Sequence, residues 1–237
     1  SALGANNGCQ VFSIQEGEAN INGFKRKRLA ALRHEEMQDF STSVVPSETH
    51  IFAPSKGKTS FTFKPYYFPI ADIQSLLLTK EKTVNVTRGA VAAGRDGVPD
   101  KSITAFIKIV QGSKEFKEGT DFKKTGDTID WAPVGDEPLA GSSYKVTYRY
   151  RAKITADKVT AQEITVSGGA EGGDIIVSYT YKLPRIDRIG LNTGGNVVYI
   201  KGVSSDHPMA PSVPDDVLSL ATITNNWLET PVVVNDG

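Results

Sequence analysis

The chain has 237 residues, and its 27 Lys and Arg are matched by 27 Asp and Glu, so the formal net charge is zero. That balance argues against a protein whose business is nucleic acid, because such domains are normally strongly basic. A single cysteine, Cys9, excludes an intrachain disulfide and a cysteine-based zinc centre. No apolar run approaches the length of a membrane-spanning helix, so no membrane insertion is expected. Three histidines leave little material for acid–base or metal chemistry. The expectation is therefore a β-rich protein that is not an enzyme and carries no catalytic, cofactor-binding or metal-binding residues. The chain starts at Ser1 without a signal-peptide pattern and ends on VVVNDG, which reads like a strand entering a turn. It is expected to be a segment of a longer polypeptide.

Residues 9–24 show two short stretches of period two, separated at Gly17, and Asn22-Gly23 is a turn signal because both residues tolerate positive φ. In 25–40, Leu29, Leu32, Met37 and Phe40 fit one helical face, but the charges oppose a helix dipole: Lys25 to Arg28 come first and Glu35, Glu36 and Asp39 last. Helix and non-helix both stay open there. Phe61-Thr62-Phe63 reads as a strand, followed by the proline-bounded crossing 65–69. Leu76, Leu78, Val84 and Val86 share one parity of a strand, and 89–99 reads as a loop.

Ile103, Ala105, Ile107 and Ile109 alternate on one strand face. Turns follow at Gln111-Gly112, Gly119-Asp121 and Gly126-Asp127, with a short strand at 128–131 and a loop at 133–141. In 143–151, Tyr144, Val146, Tyr148 and Tyr150 face one way and Lys145, Thr147, Arg149 and Arg151 the other, as a half-buried antiparallel strand requires. A second pass repeats the pattern: 164–166, a glycine loop at 167–174, then 175–182. VTYRYR (146–151) and VSYTYK (177–182) read as two edge or closing strands. Asn192 to Asn196 is a hairpin turn, and LSLATITNNW alternates like a strand.

The fold class that follows is mainly β: a β-sandwich-like (Ig-like) module at 66–183, an N-terminal β or irregular region at 1–65, and a C-terminal hairpin plus proline-rich arm at 184–237. Trp131, Ile107, Ile109, Val146 and Tyr148 are expected to be buried together. The segment 204–216, with Pro208, Pro211 and Pro214, is expected to be an extended irregular arm that packs on a neighbouring subunit or domain. After Lys201 there is no Lys or Arg, so that end is acidic.

Several motifs invite chemistry and read more simply as structure. Gly57-Lys58-Thr59-Ser60 is like the end of a phosphate loop, but Phe52 stands where that loop needs glycine. The glycines at 168, 169, 172 and 173 lack a following helix and read as a flexible hairpin tip. Asp206, His207, Asp215 and Asp216 lack the spacing of a calcium loop. His34-Glu35-Glu36 lacks the second histidine of a zinc-protease helix, since Gln38 stands there. The basic tetrad Lys25, Arg26, Lys27 and Arg28 reads as a solvated or interface face, and with Pro208, Met209, Pro211 and Pro214 makes up the candidate interface. Tyr148 and Tyr179 are candidates for stacking on sugars, against the commoner reading of tyrosines closing a core.

Three stretches in this order, EGEANINGF (16–24), FKEGTDFKKTGDTIDWAPVGDEPLAGSSYKVTYRYRA (116–152) and LPRIDRIGLNTGGNVVYIKGV (183–203), resemble an uncharacterised domain of tail-fibre and baseplate-associated structural proteins of tailed bacteriophages. The middle stretch carries most of the resemblance, through Gly119, Asp121, Ile129, Trp131, Pro138, Gly141, Tyr144 and Tyr148. Residues 25–60 carry no pattern of that family. The resemblance implies a non-catalytic virion component, made in the bacterial cytoplasm and placed in the phage tail. Its partners would be other tail proteins and further copies of itself, a homotrimer being favoured. The alternative it leaves open is a carbohydrate-binding receptor-recognition module of a tail fibre.

Overall fold

Every regular element is a strand. The computed structural model describes residues 2–6, 8–133 and 135–236, and among these no helix occurs. The open question at 25–40 is settled: Phe24–Arg28 and Leu32–Met37 are strands, so the mis-signed charges never meet a helix dipole. The protein is all-β, as the alternation of its side chains indicates. Of the expected loop 133–141, Val134 lies outside the described residues, as does Gly237 at the end of the last expected turn.

The chain forms two compact units, each assembled from separated segments. The first comprises residues 1–45, 66–72 and 180–237, the second residues 46–65 and 73–179. The division into 1–65, 66–183 and 184–237 followed chain order. The observed units interleave the chain, because β-pairing joins segments far apart in sequence.

The main sheet has six strands, and most of its residues belong to the second unit. They run Lys114–Phe116, Ile103–Gln111, Ser143–Lys153, Ile70–Thr87, Asp174–Lys182 and Thr42–Ile51. A three-stranded sheet of Lys123–Thr125, Thr128–Asp130 and Arg95–Gly97 packs on it. The shared core holds Ile109, Tyr144, Val146 and Tyr148 from the first sheet against Phe122, Ile129 and Trp131. Trp131 is the hub, with Phe116, Tyr144 and Phe122 edge-on to it at 5.3, 5.7 and 5.9 Å between ring centroids. Such pairs add about 0.5–1.5 kcal/mol each beyond area burial. A third small sheet joins Lys158–Val159, Ile164–Ser167 and Ser60–Phe63.

Four sequence expectations need correction here. Ile107 is not in the core: it is 48% exposed, while Phe106 and Ile109 are buried. The pairing of Ile103–Gln111 with Ser143–Lys153 shifts register between Ile103 and Ala105 and again between Phe106 and Lys108. Each irregularity moves the following residues to the other face, which simple alternation does not anticipate. VTYRYR and VSYTYK are interior, one on each side of Ile70–Thr87, and not edge strands. Arg95–Gly97 is a strand inside the expected loop 89–99. The glycine segment 167–174 is no free tip. Its amides at Gly168, Ala170 and Gly172 bond the carbonyls of Thr59, Thr79 and Phe52. A Cβ at Gly169 would sit 2.7 Å from the Phe52 ring and 2.9 Å from Leu78, so glycine is what lets this backbone close on the core.

In the first unit, Ala2–Asn6, Cys9–Ile14 and Leu32–Met37 form one sheet, and Val197–Ile200, Arg185–Asn192, Val217–Asn225 and Val232–Asn235 form another. Phe12 from the former packs with Ile189, Ala221 and Ile223 from the latter. Gly17–Ile21 and Phe24–Arg28 make a two-stranded hairpin, and its turn residues Asn22 and Gly23 have φ of 48° and 85°, the twist-matched geometry Asn-Gly supplies.

Candidate functional site

Chemistry needs buried polar groups, and several carboxylates lie buried in the two units. Asp96 is 5% exposed. One of its carboxylate oxygens accepts the Trp131 indole N–H at 3.0 Å and the Tyr144 hydroxyl at 2.6 Å. The other accepts the Gly89 amide at 2.9 Å and faces the Arg88 guanidinium at 3.4 Å. Burial, then the adjacent Asp96, raise the Tyr144 hydroxyl pKa far above its usual range. Asp121 accepts the amides of Lys117 and Asp136, and these two bonds hold its carboxyl below the usual carboxylate range. Asp100 takes the Tyr148 hydroxyl, then Lys82, and is lowered in the same way. Glu48, 4% exposed, accepts the Tyr179 hydroxyl at 2.6 Å.

The first unit has an equivalent centre. Asp187 is fully buried and receives Arg185, the Tyr199 hydroxyl at 2.9 Å, the Asn225 amide at 2.7 Å and the Gly202 amide at 2.8 Å. Asn225 in turn accepts from Gln10 at 2.5 Å, tying the two sheets of this unit together. Each of these carboxylates accepts hydrogen bonds from within the protein. They fix tyrosines, an indole and guanidiniums in place, which is packing chemistry.

A cavity of about 930 Å³ lies in the first unit beneath the hairpin Gly17–Arg28. Its lining includes Phe12, Ile14, Ile189, Leu191, Leu220 and Val233, and its charged groups come from Glu16, Glu18 and the basic strand. Arg26, Lys27 and Arg28 of the sequence-predicted tetrad all line it, while Lys25 stands outside, exposed. Arg26 donates to the Thr193 carbonyl at 2.5 Å and Arg28 to the Gly195 carbonyl at 3.0 Å, so the tetrad pins one hairpin onto the turn of another. Lys27 pairs with Glu18 at 2.9 Å. The Nε of Arg28 is buried without a hydrogen-bond partner.

The proline-rich segment is irregular, as its prolines dictate. It is tethered to its own unit near its start, where Ser205 donates its amide to Pro184 and the Tyr181 hydroxyl bonds Asp206 at 2.8 Å. Between the tethers and the next strand, Met209 is 83% exposed, Pro214 is exposed, and Pro208 and Pro211 are half-buried. Tyr148 and Tyr179 are each 0% exposed, so neither ring offers a face to a sugar. Their hydroxyls are spent on Asp100 and Glu48. Among the described residues no group of three or more His, Cys, Asp and Glu side chains converges as a metal would need. Sequence reasoning missed the cavity and both carboxylate hubs. Asp96 and Asp187 sit in strands that look merely polar, and only the pairing brings their donors to them.

Fold and site together define an all-β protein whose buried carboxylates are hydrogen-bonded to tyrosines, an indole and guanidiniums. Residues 1–237 match the family described as Domain of unknown function (DUF4815), and the chain belongs to that family. Neither the search of curated proteins nor that of solved structures returned a match.

Proposed function

We propose that the protein is a non-catalytic structural component of a phage tail, in the baseplate or the tail-fibre attachment region, which works by binding other tail proteins and further copies of itself. The assembly half of this reading rests on one observation. Apolar side chains stand exposed on backbone that has little else to do: Met209 and Val203 on the irregular segment at 83% and 79%, and Val232 and Val234 on the edge strand Val232–Asn235 at 55% and 58%. An apolar sheet edge with free backbone groups invites pairing with another chain. The virion half rests on the resemblance of 16–24, 116–152 and 183–203 to phage tail proteins. In the middle stretch the residues that carry it, Trp131, Tyr144, Asp121 and Tyr148, all spend their polar atoms on internal bonds, as a scaffold would.

The test is biochemical. Particles purified from a producing strain are analysed by peptide mass spectrometry, and the purified chain is used to capture tail proteins from the same lysate. Recovery of its peptides in tails at stoichiometric ratio to known tail parts is expected. Absence from particles and tails, together with a strictly monomeric mass, overturns the reading.

A further inference from the structure

We infer that the cavity under the basic hairpin is the seat of the proline-rich segment of a second copy, with Met209 of one chain entering the cavity of the next. The inference rests on the assembly reading above. The cavity has an apolar floor of Phe12, Ile14, Ile189 and Leu220, and Leu29 at its border is 78% exposed. That is a volume of about 930 Å³ able to receive several side chains, presented beside an apolar residue left in water.

Charge complementarity selects the occupant. The cavity lining carries Arg26, Lys27 and Arg28 against Glu16 and Glu18, a surplus of one cation, with Lys25 exposed on the same strand outside it. The segment from Val203 to Asp216 carries Asp206, Asp215 and Asp216 and no Lys or Arg. Asp215 and Asp216 are exposed. The segment also supplies the missing apolar group, since Met209 is among the most exposed large apolar residues of the described chain, and an unbranched thioether adapts to an irregular hole. Its tethers at Ser205 and Asp206 leave Met209 projecting on a stiffened backbone, which lowers the ordering cost of docking.

Hairpin and segment are different surfaces of one unit, so the contact is heterologous. Repeated head to tail, it closes as a ring when the rotation allows, a threefold ring being one solution.

The experiment uses the full chain in a Cys9→Ser background. Chains carrying Leu29→Cys are mixed with chains carrying Met209→Cys under mild oxidation, with Leu139→Cys, an equally exposed residue, as the control in place of the former. A covalent dimer of the Leu29/Met209 mixture well above the Leu139/Met209 control is expected. Sedimentation should show Met209→Asp weakening self-association on the order of tenfold, the size of losing one buried anchor, and added salt weakening it further. Self-association without the Leu29/Met209 cross-link sinks this inference while leaving the assembly reading intact. A chain monomeric at every concentration also sinks it, whereas the assembly reading then turns on recovery from particles. A small molecule retained in the cavity through purification sinks it as well.

Discussion

Trp131 and Asp96 lie 35 positions apart, and the indole N–H of the one meets the carboxylate of the other at 3.0 Å inside the core of the second unit. Both residues are buried, at 1% and 5% exposure. The carboxylate thus joins two sheets of this unit, since Asp96 lies on Arg95–Gly97 and its phenolic partner, Tyr144, on Ser143–Lys153. Replacing Asp96 by Ala strands an indole N–H, a phenol and a backbone amide and leaves Arg88 short of one counter-charge. A loss of about 3–5 kcal/mol is expected, as for breaking a buried ion-paired group. Asp96→Asn keeps the shape and one acceptor, and about 1–3 kcal/mol should be lost. Urea denaturation of both variants checks the order; equal midpoints for Asp96→Ala and the parent would refute the assignment.

Ile107 and Ile109 separate the alternation argument from the observed register. Ile109 is fully buried and Ile107 is 48% exposed, because the strand pairing shifts twice before position 108. Ile109→Ala should cost about 2–5 kcal/mol, the range for truncation in a packed core. Ile107→Ala should stay within about 0.5 kcal/mol, as surface substitutions do. Thermal or chemical denaturation giving the two variants equal losses would restore the unbroken alternation.

What the sequence disclosed follows from the range of the interactions involved. Strands with clean alternation, Tyr144 to Tyr150 and the stretch around Tyr179, were legible because burial on one face dictates period two. The Asn22-Gly23 turn was legible because its backbone geometry admits few residues. Thr42–Ile51 is not legible in the sequence, since its pattern is mostly polar and its one buried side chain, Glu48, is charged. The cavity is not legible either. Its lining is gathered from residues 12–31, 189–195 and 220–235, and no local pattern announces that they meet.

The two units each contain a carboxylate hub, and Asp187 allows a contrast with the surface pair Lys27–Glu18. Asp187 is 0% exposed and Arg185 6%, whereas the Lys27 and Glu18 side chains are 63% and 56% exposed. Burial disfavours the charged guanidinium of Arg185, but the bond to Asp187 and its charge outweigh that and raise its pKa. Asp187→Ala should cost about 3–5 kcal/mol, because four donors lose their acceptor in a dry site. Lys27→Ala should change stability by about 0–1 kcal/mol, the worth of an exposed ion pair. Hydrogen exchange of amides in Arg185–Asn192 reads the difference locally, with loss of protection expected for the first variant and none for the second.

The pH response follows from the same hydrogen bonds, with opposite signs at the two extremes. Tyr144, Tyr148, Tyr181 and Tyr199 all have pKa values raised in the folded chain, by burial first and then by the neighbouring Asp96, Asp100, Asp206 and Asp187. In the unfolded chain a tyrosine ionises near pH 10. A group whose folded pKa lies above that value contributes stability that is complete below about pH 10 and is lost as pH rises, because the unfolded state then releases the proton that the folded state keeps. Asp100 and Asp121 work the other way: their folded pKa values are depressed, by the Tyr148 hydroxyl and by two backbone amides, so their contribution is present above about pH 4 and fades as pH falls. Stability should therefore be flat through neutral pH and fall at both ends. Ultraviolet titration should show these four tyrosines ionising only together with unfolding, at one sharp alkaline transition. Asp121→Asn should lower stability at neutral pH and flatten the acid limb, since the protonatable carboxyl is gone. A native spectrum in which all eight tyrosines titrate smoothly near pH 10 without loss of structure would show that the phenol–carboxylate bonds are not formed in solution.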